Sequence, residues 1–155
     1  MQAAYETEIT RSVSDLFRTM LNTEVVPTEE HIPHAQDMVA AAITFTGTWK
    51  GGLLLECRRA QALCFAARFL QSDDIEEFSE DVTSTIEELS NIIAGNLKEA
   101  LPGGVRVGIP SLVNSQDHPG RTCVGKVINH TVFTTDAGLF SVWLIEGASF
   151  SGEET

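Results

Sequence analysis

Between Val82 and Ala100 the apolar residues Val82, Ile86, Leu89, Ile93, Leu97 and Ala100 recur at intervals of three and four. Only an α-helix lines such positions up on one side, and a stripe this regular needs a surface to bury it against. A chain built around it must pack a long helix on a sheet or on other helices. The other side of the same helix carries Ser84, Glu88, Asn91 and Gly95. Those are odd choices for a solvated face, which is usually filled with good helix formers such as Glu and Lys. An Asn at mid-helix competes for backbone groups, and a Gly costs about 1 kcal/mol relative to Ala. Glu88 and Asn91 project side by side, and Gly95, one turn further on, leaves the backbone open to close approach. Either this face is shaped by contact with something else, or it is an acidic surface on which Asn and Gly are tolerated.

The rest of the chain supplies the surface. Ile9, Val13, Leu16, Phe17, Met20 and Leu21 predict a first helix over Glu6–Leu21, with Glu6 and Glu8 suited to its positive end. Val25 and Val26 suggest a brief pairing, and Pro27 to Asp37 reads as a loop. From Met38 to Cys57 the period changes to two: Val39, Ala41, Ile43 and Phe45 alternate, Gly47 to Gly52 turns the chain, and Leu53 to Leu55 continue it as a β-hairpin. Trp49 in that turn either covers the sheet edge or stands out as a binding aromatic.

A second helix is expected over Ala60–Leu70, facing inward through Leu63, Ala66, Ala67 and Leu70. Asp74 with Glu77 reads as a capping box that opens the central helix early, with Ile75 and Phe78 extending its stripe; a second start at Ser79 stays open. Pro102-Gly103-Gly104 ends it. Val105, Val107 and Ile109 alternate as a strand up to Pro110, Ser115 to Gly120 is a polar loop, and Thr122–Thr135 with Leu139–Glu146 form a long hairpin, bulged at Gly125. The expected class is α+β, a predominantly antiparallel sheet with helices packed on one face. Residues 1–155 read as a single domain, with a core over 6–150 and a polar tail over 151–155.

Charge narrows the partners. The balance of 10 basic against 22 acidic residues gives a net charge of -12, which argues against nucleic acid and against anionic membrane. Ser72 to Ala100 alone holds nine acidic residues and one lysine, much of which serves a solvated face. Cys57, Cys64 and Cys123 are odd in number and lack Cys-x-x-Cys spacing, a pattern of reduced thiols. Neither a signal peptide nor a bilayer-length apolar run is present, so a cytoplasmic location is expected.

Self-contained chemistry is missing. There is no Gly-x-Gly-x-x-Gly, no phosphate loop with its Lys, no Gly-x-Ser-x-Gly elbow and no metal-spaced cluster. His31 and His34 lack a third ligand nearby, so they are read as solvent-exposed and no metal or organic cofactor is expected. An enzyme with this sequence must borrow part of its machinery.

The run Ser84-x-x-x-Glu88-x-x-Asn91, continued by Ile92-Ile93-Ala94-Gly95-Asn96-Leu97-Lys98 and by a later Ile109-Pro110-Ser111, resembles the signature of the CheC, CheX and FliY chemotaxis phosphatases, most closely the CheX type. The likeness extends to the Gly47, Trp49 and Gly52 hairpin and the Ala-rich helix after it. A single Glu-x-x-Asn helix is visible, where CheC-type members carry two, and this favours one site. The resemblance implies a substrate, the phosphorylated receiver domain of a CheY-like response regulator, and a homodimer joined through the sheet edge. It also implies roles: Asn91 orients the attacking water, Glu88 pairs with the receiver's lysine, and Gly95 and Ser84 form the rim that receives the partner. Mg²⁺ would belong to the receiver. The competing reading is a non-catalytic receiver-binding adaptor or flagellar-switch component docking by the same helix.

Overall fold

The computed structural model describes residues 2–33, 37–113 and 123–150. Three helices, α1 (Gln2–Met20), α2 (Arg59–Leu70) and α3 (Glu80–Leu97), cover one face of a seven-stranded sheet. The strands are β1 (Val26–Thr28), β2 (Met38–Gly47), β3 (Gly51–Arg58), β4 (Val105–Val107), β5 (Ser111–Val113), β6 (Cys123–Thr135) and β7 (Gly138–Phe150). They lie in the order β1-β6-β7-β3-β2-β4, with β5 also on β2, and every pairing is antiparallel. The α+β architecture read from the sequence is the one observed.

Alternation decides which side of each strand meets the helices. Ala41, Ile43 and Phe45 of β2, Leu53, Leu55 and Cys57 of β3, Phe133 of β6, and Phe140, Val142 and Leu144 of β7 point into the main core. Phe17 of α1 and Phe65 of α2 close on Phe140, stacked at 4.9 Å and edge-on at 5.6 Å between ring centroids. Burial in this apolar layer pushes the Cys57 thiol up to about 12, so it stays protonated and inert.

The phenylalanine cluster also corrects the expected orientation of α2. Its buried residues are Gln61, Ala62, Phe65 and Ala66, while Leu63 and Ala67 are half-buried and Leu70 is exposed. The bulk of Phe65 rotates the helix away from the face suggested by Leu63 and Leu70. Arg68 at the end of α2 donates to both carboxylate oxygens of Asp136 in the β6–β7 turn at 2.9 Å and to Thr23 at 2.7 Å.

Three further expectations are revised. Asp74 and Glu77 do not open a helix: the segment after α2 is irregular, and α3 starts at Glu80 behind Ser79. Four carboxylates crowd Asp73 to Glu77, and such like-charge neighbours oppose a helical turn. Ile75 and Phe78 still pack on the core from the irregular segment, with Arg59 over the Phe78 ring at 4.3 Å. The strand expected through Ile109 stops at Val107, and Ile109 is 88% exposed. Gly108 donates to the Thr44 carbonyl at 2.8 Å, and the chain then resumes on β2 as β5, an element the sequence did not announce. Met20, placed in the first stripe, is exposed because the helix ends there.

Other details agree. The register shift between Val124 and Lys126 places a bulge at Gly125. Trp49 covers the sheet: it is half-buried, donates to Glu146 at 3.1 Å, and lies so close over Gly51 that a side chain there would collide with its ring. The loop at Ser115–Gly120 and the tail at 151–155 lie outside the described residues.

Candidate functional site

The central helix α3 lies over β2 and β3, with α1 and α2 against its flanks. Its inner row is entirely withdrawn from solvent: Val82, Ile86, Leu89, Ile93 and Leu97 are each 0% exposed. Glu80 and Asp81 in the first turn suit the positive end of the helix. The polar residues that share the buried side are satisfied locally, Thr85 donating to the Asp81 carbonyl and Ser90 to that of Glu87, both at 2.9 Å. Ala100 lies beyond the helix in a 3₁₀ turn and is half-buried.

The outer row is organised differently. Ser84, Glu88 and Gly95 are exposed, and Asn91 is half-buried on the same side. Among the described residues neither Glu88 nor Asn91 makes a side-chain hydrogen bond or ion pair. Asn96, five residues on, is the contrast: its amide donates to Ser12 of α1 at 2.9 Å and ties the two helices together. Gly95 is not required by the fold either, since a methyl group added there would meet nothing within 4 Å. Among the described residues, the best-formed cavities lie elsewhere, along β1, the loop at His31 and the ends of α1 and α2. The α3 face is an open helix surface, suited to contact with a large partner.

The chain matches a known family model, that of the chemotaxis phosphatase CheX, over residues 39–134. The chain belongs to the CheX family. Among solved structures, the chemotaxis protein CheX from Vibrio vulnificus is similar over 94% of this chain and 98% of its own, with 20% identity and a TM-score of 0.76. The CheX in the CheX–CheY–BeF3–Mg2+ complex from Borrelia burgdorferi matches 92% of this chain and 97% of its own at 19% identity and a TM-score of 0.69. Thermotoga maritima FliY is similar at 14% identity and a TM-score of 0.61, over 93% of this chain and 87% of its own. At these identities the likeness speaks for the CheX fold alone. No curated protein matches the chain.

The histidine pair weighed in the sequence is divided: His34 lies outside the described residues, and His31 is exposed. The neighbour that His31 does have is His130 of β6, whose proton affinity is lowered by burial and then by the His31 charge. Among the described residues no three His, Cys, Asp or Glu side chains converge as metal ligands would. Among the described residues no helix is long and apolar enough to cross a membrane.

Proposed function

We propose that this CheX-family chain hydrolyses the aspartyl phosphate of a CheY-like receiver domain by laying the outer face of α3 against it. The observation that carries the reading is the state of Asn91. It sits at mid-helix at a cost in helix propensity and, unlike Asn96, has no described partner within its own chain. An amide holds a donor and an acceptor together, which is what orienting a water for in-line attack on phosphorus requires. The water's oxygen bonds to phosphorus, the bond from phosphorus to the acyl oxygen breaks, the receiver's aspartate is regenerated as a carboxylate, and inorganic phosphate leaves with the water's protons. Catalysis of this kind rests on positioning and charge stabilisation.

Glu88, on the same face, would pair with the receiver's lysine and fix the helix in register. Gly95 would admit the partner's backbone close to α3, with Ser84 at the rim. The chain brings no metal or organic cofactor of its own in this scheme; Mg²⁺ stays with the receiver. The test is the decay of a phosphorylated CheY-like receiver with and without the protein. Acceleration that Asn91→Ala abolishes supports the phosphatase, whereas tight binding without acceleration in the native chain assigns it to the adaptor class.

The reading includes a homodimer through a sheet edge, and the edge that suits it is that of β6. Among the described residues, β1 covers only Val132 to Thr134 of that strand, leaving the outer side from Lys126 to Thr131 without a strand partner. Unpaired strand edges of this length favour pairing with a second copy. Light scattering during size exclusion should give twice the chain mass.

A further inference from the structure

Among the large apolar side chains left in solvent, one stands apart. Ile109 is 88% exposed, against 43 to 54% for Met20, Val26, Leu70 and Val127. The backbone on both sides of it is fixed to β2. Val107 pairs with Phe45, Gly108 donates to the Thr44 carbonyl at 2.8 Å, and Ser111 already pairs with Ala42. Ile109 and Pro110 therefore stand together opposite the single residue Ile43, which makes a β-bulge at the edge of the sheet. A Cβ at position 108 would meet Thr44 Oγ1 at 2.9 Å, so glycine is what lets the chain come this close. Pro110 adds a ring-locked φ and has no N–H that would call for a strand partner.

The bulge lies beside the middle of α3, because that helix spans β2 from end to end. At one end Arg59, next to the Arg58 that pairs with Met38, sits over the ring of Phe78 just ahead of α3. At the other, Thr48, just past Gly47, donates its N–H to the Gly104 carbonyl beyond α3. Ile43 falls near the middle of β2, as Glu88 and Asn91 fall near the middle of α3. β5 contacts α3, and its Leu112 packs on the main core. On the opposite flank Asn96 is tied to α1; Asn91, five residues earlier, is turned about 140° from it and so away from α1. The bulge and the outer row of α3 thus form one surface. A second copy pairing on β6 would not cover it, since the sheet order puts β6 on the far side of β7 and β3 from the outer edge of β2. We infer that Ile109 is an apolar anchor for the receiver domain, seated on an apolar patch beside the receiver's phosphorylated aspartate while Glu88 and Asn91 address the phosphoryl site. A β-branched side chain on a braced backbone has little freedom left to lose when it is covered, so it adds affinity and leaves the chemistry to α3.

The inference rests on the phosphatase reading, and the test separates the two. Affinity is measured for a CheY-like receiver held in its phosphorylated-like state by BeF3 and Mg²⁺, and turnover on the phosphorylated receiver. Ile109→Ser should raise the Kd at least about tenfold, the size expected when one aliphatic side chain loses its cover. Ile109→Val, one methylene smaller, should raise it about fourfold. The dephosphorylation rate at saturating receiver should stay within about twofold of native, and the dependence of the Kd on salt should not change, because no charge is removed. The urea midpoint should stay in place, since the side chain is exposed. Val26→Ser, an exposed apolar residue at the other end of the sheet order, should leave the Kd as it is. If the native chain dephosphorylates the receiver while Ile109→Ser binds as tightly as native, or if Val26→Ser loses as much affinity, the anchor is overturned and the phosphatase reading stands. A fall in the saturated rate at unchanged Kd also overturns the anchor. A native chain that neither binds nor dephosphorylates the receiver overturns both.

Discussion

The inner and outer rows of α3 follow different rules on one helix. The inner residues are fully buried and could be recovered from spacing alone. The outer row keeps an unengaged Asn91 and a Gly95 with open space around it, neither of which helps the helix. A residue that costs helix propensity and makes no described side-chain hydrogen bond is not one that helix stability selects. Asn91 and Asn96 make the same point within one residue type, since Asn96 donates to Ser12 while Asn91 makes no side-chain hydrogen bond among the described residues.

The largest effect should come from breaking the inner row. Leu89→Ala, at a position with no exposure, is expected to cost about 2 to 5 kcal/mol in urea unfolding; a loss under about 1 kcal/mol would deny that this row carries the helix. Asn91→Ala should do the reverse, lowering the receiver's dephosphorylation rate by about 10² to 10³ fold while the unfolding midpoint stays put. An unchanged rate would remove the catalytic role.

Glu88→Ala comes next, with roughly tenfold weaker binding to a receiver held in its phosphorylated-like state and a reduced dependence of binding on salt. Retention of full affinity and full salt dependence would take the docking role from Glu88. Asn96→Ala should lower stability by about 1 kcal/mol and leave the catalytic rate per bound receiver alone. Equal effects of the Asn91 and Asn96 changes on rate would erase the distinction between them. The smallest effect is a gain: Gly95→Ala should stabilise the chain by up to about 1 kcal/mol and weaken receiver binding by crowding the contact. Stabilisation without any loss of binding would mean that the partner does not approach there.

The sequence made α3 legible because its stripe is long and its period unambiguous. It served less well wherever distant residues decide the outcome. The face of α2 is set by Phe65 meeting Phe17 and Phe140, which no local period announces. β5 was hidden because Pro110 reads as an end, whereas here it precedes a return to β2. The candidate site on α3 was visible because all its residues lie on one helix. The contacts of Trp143 with Glu56 and with His130 were not, since they join three strands and exist only through their register.

The sheet order fixes how two copies would present themselves. Antiparallel pairing of two β6 edges places a twofold axis perpendicular to the sheet, so both helical layers remain on one side. The α1 helices, which rest on β6, would meet near that axis, while each α3 lies out over β2 and β3. At about 4.8 Å between strands, the two α3 faces would stand roughly 25 to 30 Å apart. Such a dimer is bivalent: its two docking faces look the same way, so a cluster of tethered receivers would be held by avidity at a concentration where one free receiver would escape.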